Sequence, residues 1–218
     1  MNLPKDIKCV IFDMDGIIID SEEIHKKAYY ETFKSIGVDV SDDLYKTFTG
    51  SSTINAFQKL VAHFNLKLKP EELVLSKRKR YVNFFENDPT LHLVKGVENL
   101  IKHCYNKKLT LILASSSAMV NIDRVFNRFH LNQYFTAKIS GADLTASKPH
   151  PEIFEKAALL GNTPKENCIV IEDSDNGVKA ANDANIFVVG YQNPMAEDQT
   201  LENADLVINN FNTLRANI

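Results

Sequence analysis

The chain has 218 residues, with 25 Lys and Arg against 28 Asp and Glu, so its formal net charge is −3. This balance lacks the basic excess that favours nucleic acid as a partner, and no stretch approaches the ~20 apolar residues of a membrane-spanning helix. Lys8, Asp13 and Asp15 interrupt the apolar residues near the start, unlike a secretory signal. We expect a cytoplasmic globular protein, by default a monomer, without nucleic-acid or membrane partners.

The first predicted strand, residues 8–12, is followed by the most informative residues of the chain. Its apolar run predicts a strand buried on both faces, and ligands of open α/β sheets collect beyond the carboxyl ends of such strands. Asp13 and Asp15 follow it, and Gly16 comes next. Because two carboxylates at a buried strand end are costly unless a cation or a reaction uses them, we interpret this strand end as part of an active site.

The next segment, residues 21–88, carries only helical periodicity, with helices predicted at 24–36, 42–48, 52–64 and 70–85. We expect residues 18–88 to form an inserted helical domain. The turn-forming residues at 87–90 predict the hinge through which the chain leaves it. Residues 1–17 and 89–218 are then expected to form the second domain.

The second domain alternates strands with helices. Strands are predicted at 109–114, 137–140, 168–171, 186–190 and 206–208, and helices at 97–105, 119–129, 151–160 and 177–184. Such alternation predicts a mostly parallel sheet with right-handed crossovers. The expected fold class is therefore α/β: a Rossmann-like, mostly parallel sheet with helices on both faces, plus the inserted all-helical domain.

Two loops of the second domain carry residues suited to binding phosphate. Ser115 and Ser116 follow the strand at 109–114, where a hydroxyl and successive backbone amides can hold phosphate oxygens; the alternative is that these serines cap a helix. Lys148 lies ahead of the helix at 151–160, where its ammonium can neutralise a phosphate and a nearby carboxylate; the alternative is a solvated lysine.

A second pair of acids, Glu172 and Asp173, follows the strand at 168–171. Magnesium prefers oxygen ligands and keeps several of its waters. Acids from two adjacent strand ends are therefore a suitable donor set for this ion.

Together these motifs resemble the haloacid dehalogenase superfamily, specifically its phosphatase and β-phosphoglucomutase-like branch, which carries a helical cap after the first strand. The matching residues are Asp13, Met14, Asp15, Gly16 and Asp20; Ser115; Lys148; and Glu172, Asp173, Ser174 and Gly177. Each motif alone is modest, but four in order across essentially the whole chain are highly specific. The resemblance implies a magnesium-dependent phosphatase that hydrolyses a small phosphorylated metabolite, a sugar or polyol phosphate, through an aspartyl-phosphate intermediate.

The resemblance also implies a role for each site residue. Asp13 would be the nucleophile and a metal ligand, and Asp15 the general acid and base, which also gives the metal its backbone carbonyl. Asp173 would ligate the metal, while Glu172 would either ligate it directly or hold a metal-bound water. The residues expected to hold the phosphoryl group are Ser115, Ser116 and Lys148.

The alternative function is a β-phosphoglucomutase-like isomerase. Mutases of this branch usually carry an arginine shortly after a cap glycine to grip a second phosphate, whereas Gly50 is followed by Ser-Ser-Thr-Ile. A second phosphate would lack its charge-assisted partner there, which favours hydrolysis. The basic residues at 77–80 are expected to be solvated, because four in a row cannot share one helix face. His25 resembles a cap histidine of both classes and is expected either to contact the substrate or to be structural.

Overall fold

A computed structural model describes residues 3–48, 51–89, 91–193 and 199–218. The chain divides into two compact units: Met1–Asp20 with His92–Ile218, here called the sheet unit, and Ser21–Leu91, here called the helical unit. The boundaries predicted from the sequence, after residue 17 and after residue 88, each lie slightly earlier in the chain. Gly50 and Thr90, which entered the predictions of the mutase motif and the hinge, lie outside the described residues.

The sheet unit is built on a parallel sheet whose six described strands follow the order β3-β2-β1-β4-β5-β6. The strands are β1 (Cys9–Phe12), β2 (Thr110–Ser115), β3 (Ala137–Ser140), β4 (Cys168–Glu172), β5 (Phe187–Tyr191) and β6 (Leu206–Ile208). Every predicted strand is present, and this sheet confirms the predicted α/β fold class.

The strand order sets where a ligand can bind. β1 lies at the centre, with Cys9 opposite Thr110 of β2 and Cys168 of β4. The chain fills one side of β1 with β2 and β3, and the other side with β4, β5 and β6. The connections on the two sides therefore diverge between β1 and β4, and this is the switch point where open α/β sheets bind ligands.

Burial on both faces explains the uninterrupted apolar sequence of β1. Cys9 and Ile11 face one side of the sheet and belong to the same apolar cluster as Phe154 and Val178. Val10 and Phe12, which alternate with them, are equally inaccessible to solvent. A strand enclosed in this way needs apolar residues at every position.

Helices of the sheet unit follow the predicted pattern, with one addition. They are α5 (Val97–Asn106), α6 (Met119–Arg128), α7 (Glu152–Leu160), α8 (Asp175–Asp183) and α9 (Phe211–Arg215). The sequence analysis missed α9, because five residues are too few to show a helical period. It begins at Asn210, whose side chain accepts a hydrogen bond from the Asn212 amide.

The helical unit contains α1 (Glu22–Ser35), α2 (Asp42–Lys46), α3 (Thr53–His63) and α4 (Pro70–Asn87). Ser41 and Ser52 cap α2 and α3 by accepting hydrogen bonds from backbone amides within the first turn. Pro70 occupies the first turn of α4, where its missing amide hydrogen costs nothing. None of the described helices in either unit is long and apolar enough to cross a membrane.

The core of the helical unit is an aromatic cluster. The Phe57 ring lies 5.4 Å from the Tyr29 ring and 6.3 Å from the Phe33 ring, measured between centroids. Tyr45 also packs on Tyr29, at 5.7 Å. Burial of these large rings compensates for the small size of the unit.

We predict that Phe57→Ala lowers the free energy of unfolding by about 3–5 kcal/mol, because it leaves a cavity where a fully buried ring packs. Urea denaturation followed by circular dichroism measures the change. Leu75→Ala is the control: Leu75 lies on α4 in the same unit but is 66% exposed, so its loss should stay within about 0.5 kcal/mol. Equal losses in the two variants would contradict the assigned core.

Candidate active site

The segment after β1 is held in a tight turn at the carboxyl edge of the sheet. The Asp13 amide donates to the Ile171 carbonyl at 3.0 Å, which extends the pairing of β1 with β4 by one residue. The amides of Ile18 and Ile19 then both donate to the Met14 carbonyl. Gly16 has φ +82°, a conformation that glycine adopts without strain. Asp13 thus stays fixed by the sheet while the chain turns away behind it.

A buried lysine links the ends of three strands. The Lys148 Nζ donates to Asp13 Oδ1 at 2.6 Å, to Glu172 Oε1 at 2.7 Å and to the Ala114 carbonyl at 3.1 Å. These bonds use all three hydrogens of the ammonium. Lys148 is 5% exposed, so the alternative of a solvated lysine is wrong.

The charges at this edge are unbalanced. Burial raises the pKa of Asp13 to about 7; the Lys148 ammonium opposes this rise, and the Glu172 and Asp15 carboxylates add to it. Burial also raises the pKa of Asp173 well above its usual range, together with the Glu172, Asp13 and Asp15 carboxylates. Burial alone would lower the pKa of Lys148, but Asp13 and Glu172 raise it above its ordinary value. Four neighbouring carboxylates therefore share one buried ammonium.

Glu172 organises the loop that carries Asp173. Its Oε2 accepts hydrogen bonds from the Asp173 amide at 2.8 Å, the Ser174 amide at 2.8 Å and the Ser174 hydroxyl at 2.9 Å. Gly177 leaves room for this carboxylate, since a Cβ there would lie 1.9 Å from Glu172 Oε1. Both Glu172 oxygens are thus engaged by the protein, one by Lys148 and one by its own loop.

The serines after β2 form a turn beside Asp15. The Ser117 amide donates to Ser115 Oγ at 3.1 Å, and the Ser117 hydroxyl donates to Asp15 Oδ2 at 2.9 Å. Ser116 lies between them, half-buried, with Gly141 packed against its backbone. The N-cap of α6 is Ala118, and no side chain caps that helix. The alternative that these serines cap a helix is therefore wrong, and the link from Ser117 to Asp15 is a contact that the sequence analysis did not foresee.

His25 lies in the helical unit, and its neighbour corrects one prediction. Lys77 was expected to be solvated, but it is 2% exposed, and its Nζ lies 2.6 Å from His25 Nδ1. The ammonium also lies over the Tyr29 and Tyr81 rings, at 4.7 and 5.1 Å from their centroids. The sequence contained a signal for this burial: Lys77 stands four residues from Leu73 and from Tyr81, on the apolar stripe of α4.

The residues of the sheet unit fit a divalent cation. Excess carboxylate charge at a buried edge is the setting in which such an ion is favoured. The Asp173 carboxylate lies directly against Gly16. Only a glycine leaves room for it, because a Cβ at this position would lie 1.8 Å from Asp173 Oδ2. No cage of three or more His, Cys, Asp or Glu side chains forms among the described residues. Magnesium is usually held by one or two carboxylates and several waters, so Asp13, Asp173 and the Asp15 carbonyl remain a suitable donor set.

Known proteins resemble this chain over nearly its whole length. The family model described as haloacid dehalogenase-like hydrolase matches residues 10–191. The chain is 30% identical to hexitol phosphatase B of Escherichia coli, over 99% of this chain and 98% of that protein. It is 28% identical to β-phosphoglucomutase of Bacillus subtilis, over 93% and 89%. A crystal structure of β-phosphoglucomutase from Clostridium difficile superposes with a TM-score of 0.83 at 28% identity, covering 95% of this chain and 93% of that one.

We predict that Lys148→Met lowers the free energy of unfolding by about 3–5 kcal/mol, because it leaves two buried carboxylates without their cation. The matched control is Lys156→Met, which removes an ion pair of the same 2.6 Å length, Lys156 to Glu152, with a half-exposed lysine. Such surface pairs contribute at most about 1 kcal/mol. Denaturant unfolding of both variants measures the difference, and equal losses would contradict the role of Lys148 as a buried link.

Proposed function

The chain belongs to the haloacid dehalogenase-like hydrolase family, and from that premise we propose that it is a magnesium-dependent phosphatase of a small sugar or polyol phosphate. The predicted enzyme class, a phosphoric monoester hydrolase, is confirmed by the family match and by the phosphatases among its relatives. The observation that carries our finer proposal is the buried Asp13 carboxylate, bonded to Lys148 beside the serine turn after β2.

In the first step, an oxygen of Asp13 forms a bond to phosphorus while the bond from phosphorus to the ester oxygen breaks. Lys148 offsets charge on the equatorial phosphoryl oxygens, and the backbone amides and hydroxyls of Ser115 and Ser116 hold them. Asp15, in its protonated form, gives its proton to the departing alcohol. The product is an aspartyl phosphate on Asp13.

In the second step, Asp15 takes a proton from water, and the water oxygen forms a bond to phosphorus as the bond to Asp13 breaks. Inorganic phosphate leaves, and both aspartates return to their starting states. The hydrogen bond from Ser117 to Asp15 supports this assignment, because it keeps Asp15 beside the serine turn. Asp13, Asp173 and the Asp15 carbonyl would hold a magnesium ion, which would supply further positive charge against the transferring group.

We assign Glu172 to holding the Asp173 loop and a metal-bound water, and not to direct ligation. Its two oxygens already accept hydrogen bonds from Lys148, the Asp173 amide and Ser174. Carboxylates in such supporting positions orient a ligand and tune its affinity.

The alternative function is an isomerase like the β-phosphoglucomutases among the relatives. Ser51 and Ser52 stand where a mutase would carry a cation for the second phosphate, and here their hydroxyls make local hydrogen bonds. Ser51 donates its hydroxyl to the Phe48 carbonyl, and Ser52 caps α3 by accepting from the Asn55 amide. This use of the segment supports hydrolysis. A small phosphorylated metabolite is the proposed substrate, while a cytoplasmic location, a monomeric state and the lack of nucleic-acid or membrane partners stay predictions.

We predict that Asp13→Asn reduces phosphate release by more than about 1,000-fold without unfolding the protein, because an amide cannot attack phosphorus. The measurement is phosphate release from a panel of sugar and polyol phosphates, with and without magnesium. Asp123→Asn is the control, since Asp123 pairs with Lys138 at the surface of α6, and its rate should stay within twofold.

Full activity of Asp13→Asn would contradict the mechanism. The same panel separates the two candidate functions. Release of phosphate from a hexose phosphate without glucose 1,6-bisphosphate supports the phosphatase. Isomerisation that depends on the bisphosphate supports the mutase.

We propose that His25 contacts the substrate as a hydrogen-bond donor. A lysine ammonium can only donate, so Nδ1 of His25 accepts from Lys77, and the neutral imidazole carries its hydrogen on Nε2. This tautomer lets Nε2 donate to an oxygen of the substrate. It excludes Nε2 of the neutral ring as a proton acceptor.

We predict that ¹⁵N nuclear magnetic resonance at about pH 8, where an ordinary histidine is neutral and an ordinary lysine is still protonated, shows His25 with its hydrogen on Nε2. Lys77→Met should remove the bias between the two tautomers, because it deletes the donor that faces Nδ1. The spectrum of His25→Gln assigns the signals, and Lys79→Met, on the same helix, serves as the control. A hydrogen on Nδ1 of His25 in the unaltered protein would contradict this role.

A further inference from the structure

The end of β5 reaches across its neighbour to the loop that follows β1. β5 pairs with β4 and not with β1, yet the Asn193 side chain, two residues beyond β5, donates from Nδ2 to the Gly16 carbonyl at 3.2 Å. Asn193 is 6% exposed. A buried amide that bonds a buried carbonyl is costly to remove, since the partner loses its hydrogen bond inside the protein.

Gly16 is the point where the two acidic loops touch. The absence of a side chain lets the Asp173 carboxylate lie against it: a Cβ at Gly16 would be 1.8 Å from Asp173 Oδ2 and 2.5 Å from its Cγ. Gly16 also follows Asp15 directly, and its amide, which shares a peptide group with the Asp15 carbonyl, donates to the Ile19 carbonyl at 2.9 Å. The Gly16 carbonyl belongs to the next peptide group, so the hydrogen bond from Asn193 holds the Gly16 backbone at the point where Asp173 packs against it.

The far end of the same connection is tied to the first residue of α8, which follows the loop after β4. Gln199 Oε1 accepts from the Asp175 amide at 2.7 Å, and Asp175 Oδ1 accepts from the Leu201 amide at 2.7 Å. The Gln192 side chain donates to the Gln199 carbonyl at 3.3 Å, which joins the two ends of the connection. The described residues between β5 and β6 thus bind the loop after β1 and the start of α8, next to the loop after β4.

We propose that Asn193 is a positioning residue that holds the Gly16 backbone and, because Asp173 packs against Gly16, keeps the loops of Asp15 and Asp173 in one arrangement for a divalent cation. This inference rests on the proposed function. Asn193 touches no reacting atom in the mechanism given above. It acts by holding two donors in one arrangement before the ion arrives, so that binding does not have to order them.

The test measures Mn²⁺ binding to the substrate-free protein by electron paramagnetic resonance, with Mn²⁺ as the probe for the magnesium site. Asn193→Ala and Asn193→Leu both delete the donor, and Leu keeps much of the volume. Each should weaken Mn²⁺ binding about 10-fold, the usual effect of losing a group that orients a metal ligand. Asn182→Ala is the matched control, because Asn182 Nδ2 also donates to a backbone carbonyl, that of Asn203 before β6, at 2.8 Å. Its affinity should stay within twofold.

The outcomes separate this inference from the proposed function. Wild-type protein that binds Mn²⁺, with folded Asn193 variants that bind it equally well, would overturn the role of Asn193 and leave the phosphatase intact. Wild-type protein that binds no Mn²⁺ and hydrolyses no phosphate ester would overturn both. Unfolding of both Asn193 variants, judged by circular dichroism, would also overturn it, because the residue would then serve the fold as a whole.

Discussion

The sheet unit depends on one constraint: several carboxylates must share a buried sheet edge with a single ammonium. Lys148 meets part of this demand by bonding Asp13, Glu172 and the Ala114 carbonyl at once. Burial, and after it the neighbouring carboxylates, raises the pKa values of Asp13 and Asp173. An edge of this kind is costly to the fold in isolation, and a bound divalent cation would offset that cost. The strand order explains why these carboxylates meet at one place, because β1 and β4 are adjacent at the switch point.

Glycines and backbone amides allow so many charged groups to pack closely. Gly16 and Gly177 each stand where a Cβ would overlap a carboxylate, that of Asp173 and that of Glu172. The loop amides after β4 bond Glu172, so this acid acts as a support for its neighbour. The helical unit uses a buried lysine in a similar way, with Lys77 directed at His25 and enclosed by aromatic rings. In both units a buried ammonium fixes the orientation of a group that the proposed chemistry needs.

The sequence was sufficient to predict the fold, because hydrophobic period and length separate buried strands from amphipathic helices. It also placed Asp13 and Glu172 at strand ends and Lys148 in the loop before α7, and the structure brings these three side chains into direct contact. It missed Lys77, because the basic run was interpreted as a unit that cannot share one helix face, although the spacing from Leu73 to Tyr81 placed Lys77 itself on the apolar face. It missed Asn193, because a hydrogen bond between residues 177 positions apart in the chain leaves no local pattern. The hydrogen bond from Ser117 to Asp15 was not predicted for the same reason, because these residues are also far apart in the chain.

The central claim is that the Asp13 carboxylate, which bonds Lys148, is the group that attacks phosphorus. The most direct measurement is mass spectrometry of protein quenched with acid during turnover of a phosphorylated substrate, after borohydride reduction to stabilise an acyl phosphate. The account predicts modification at Asp13 alone, with an unmodified Asp15. Modification at another residue, or turnover at full rate with no modified peptide at any time after mixing, would contradict it.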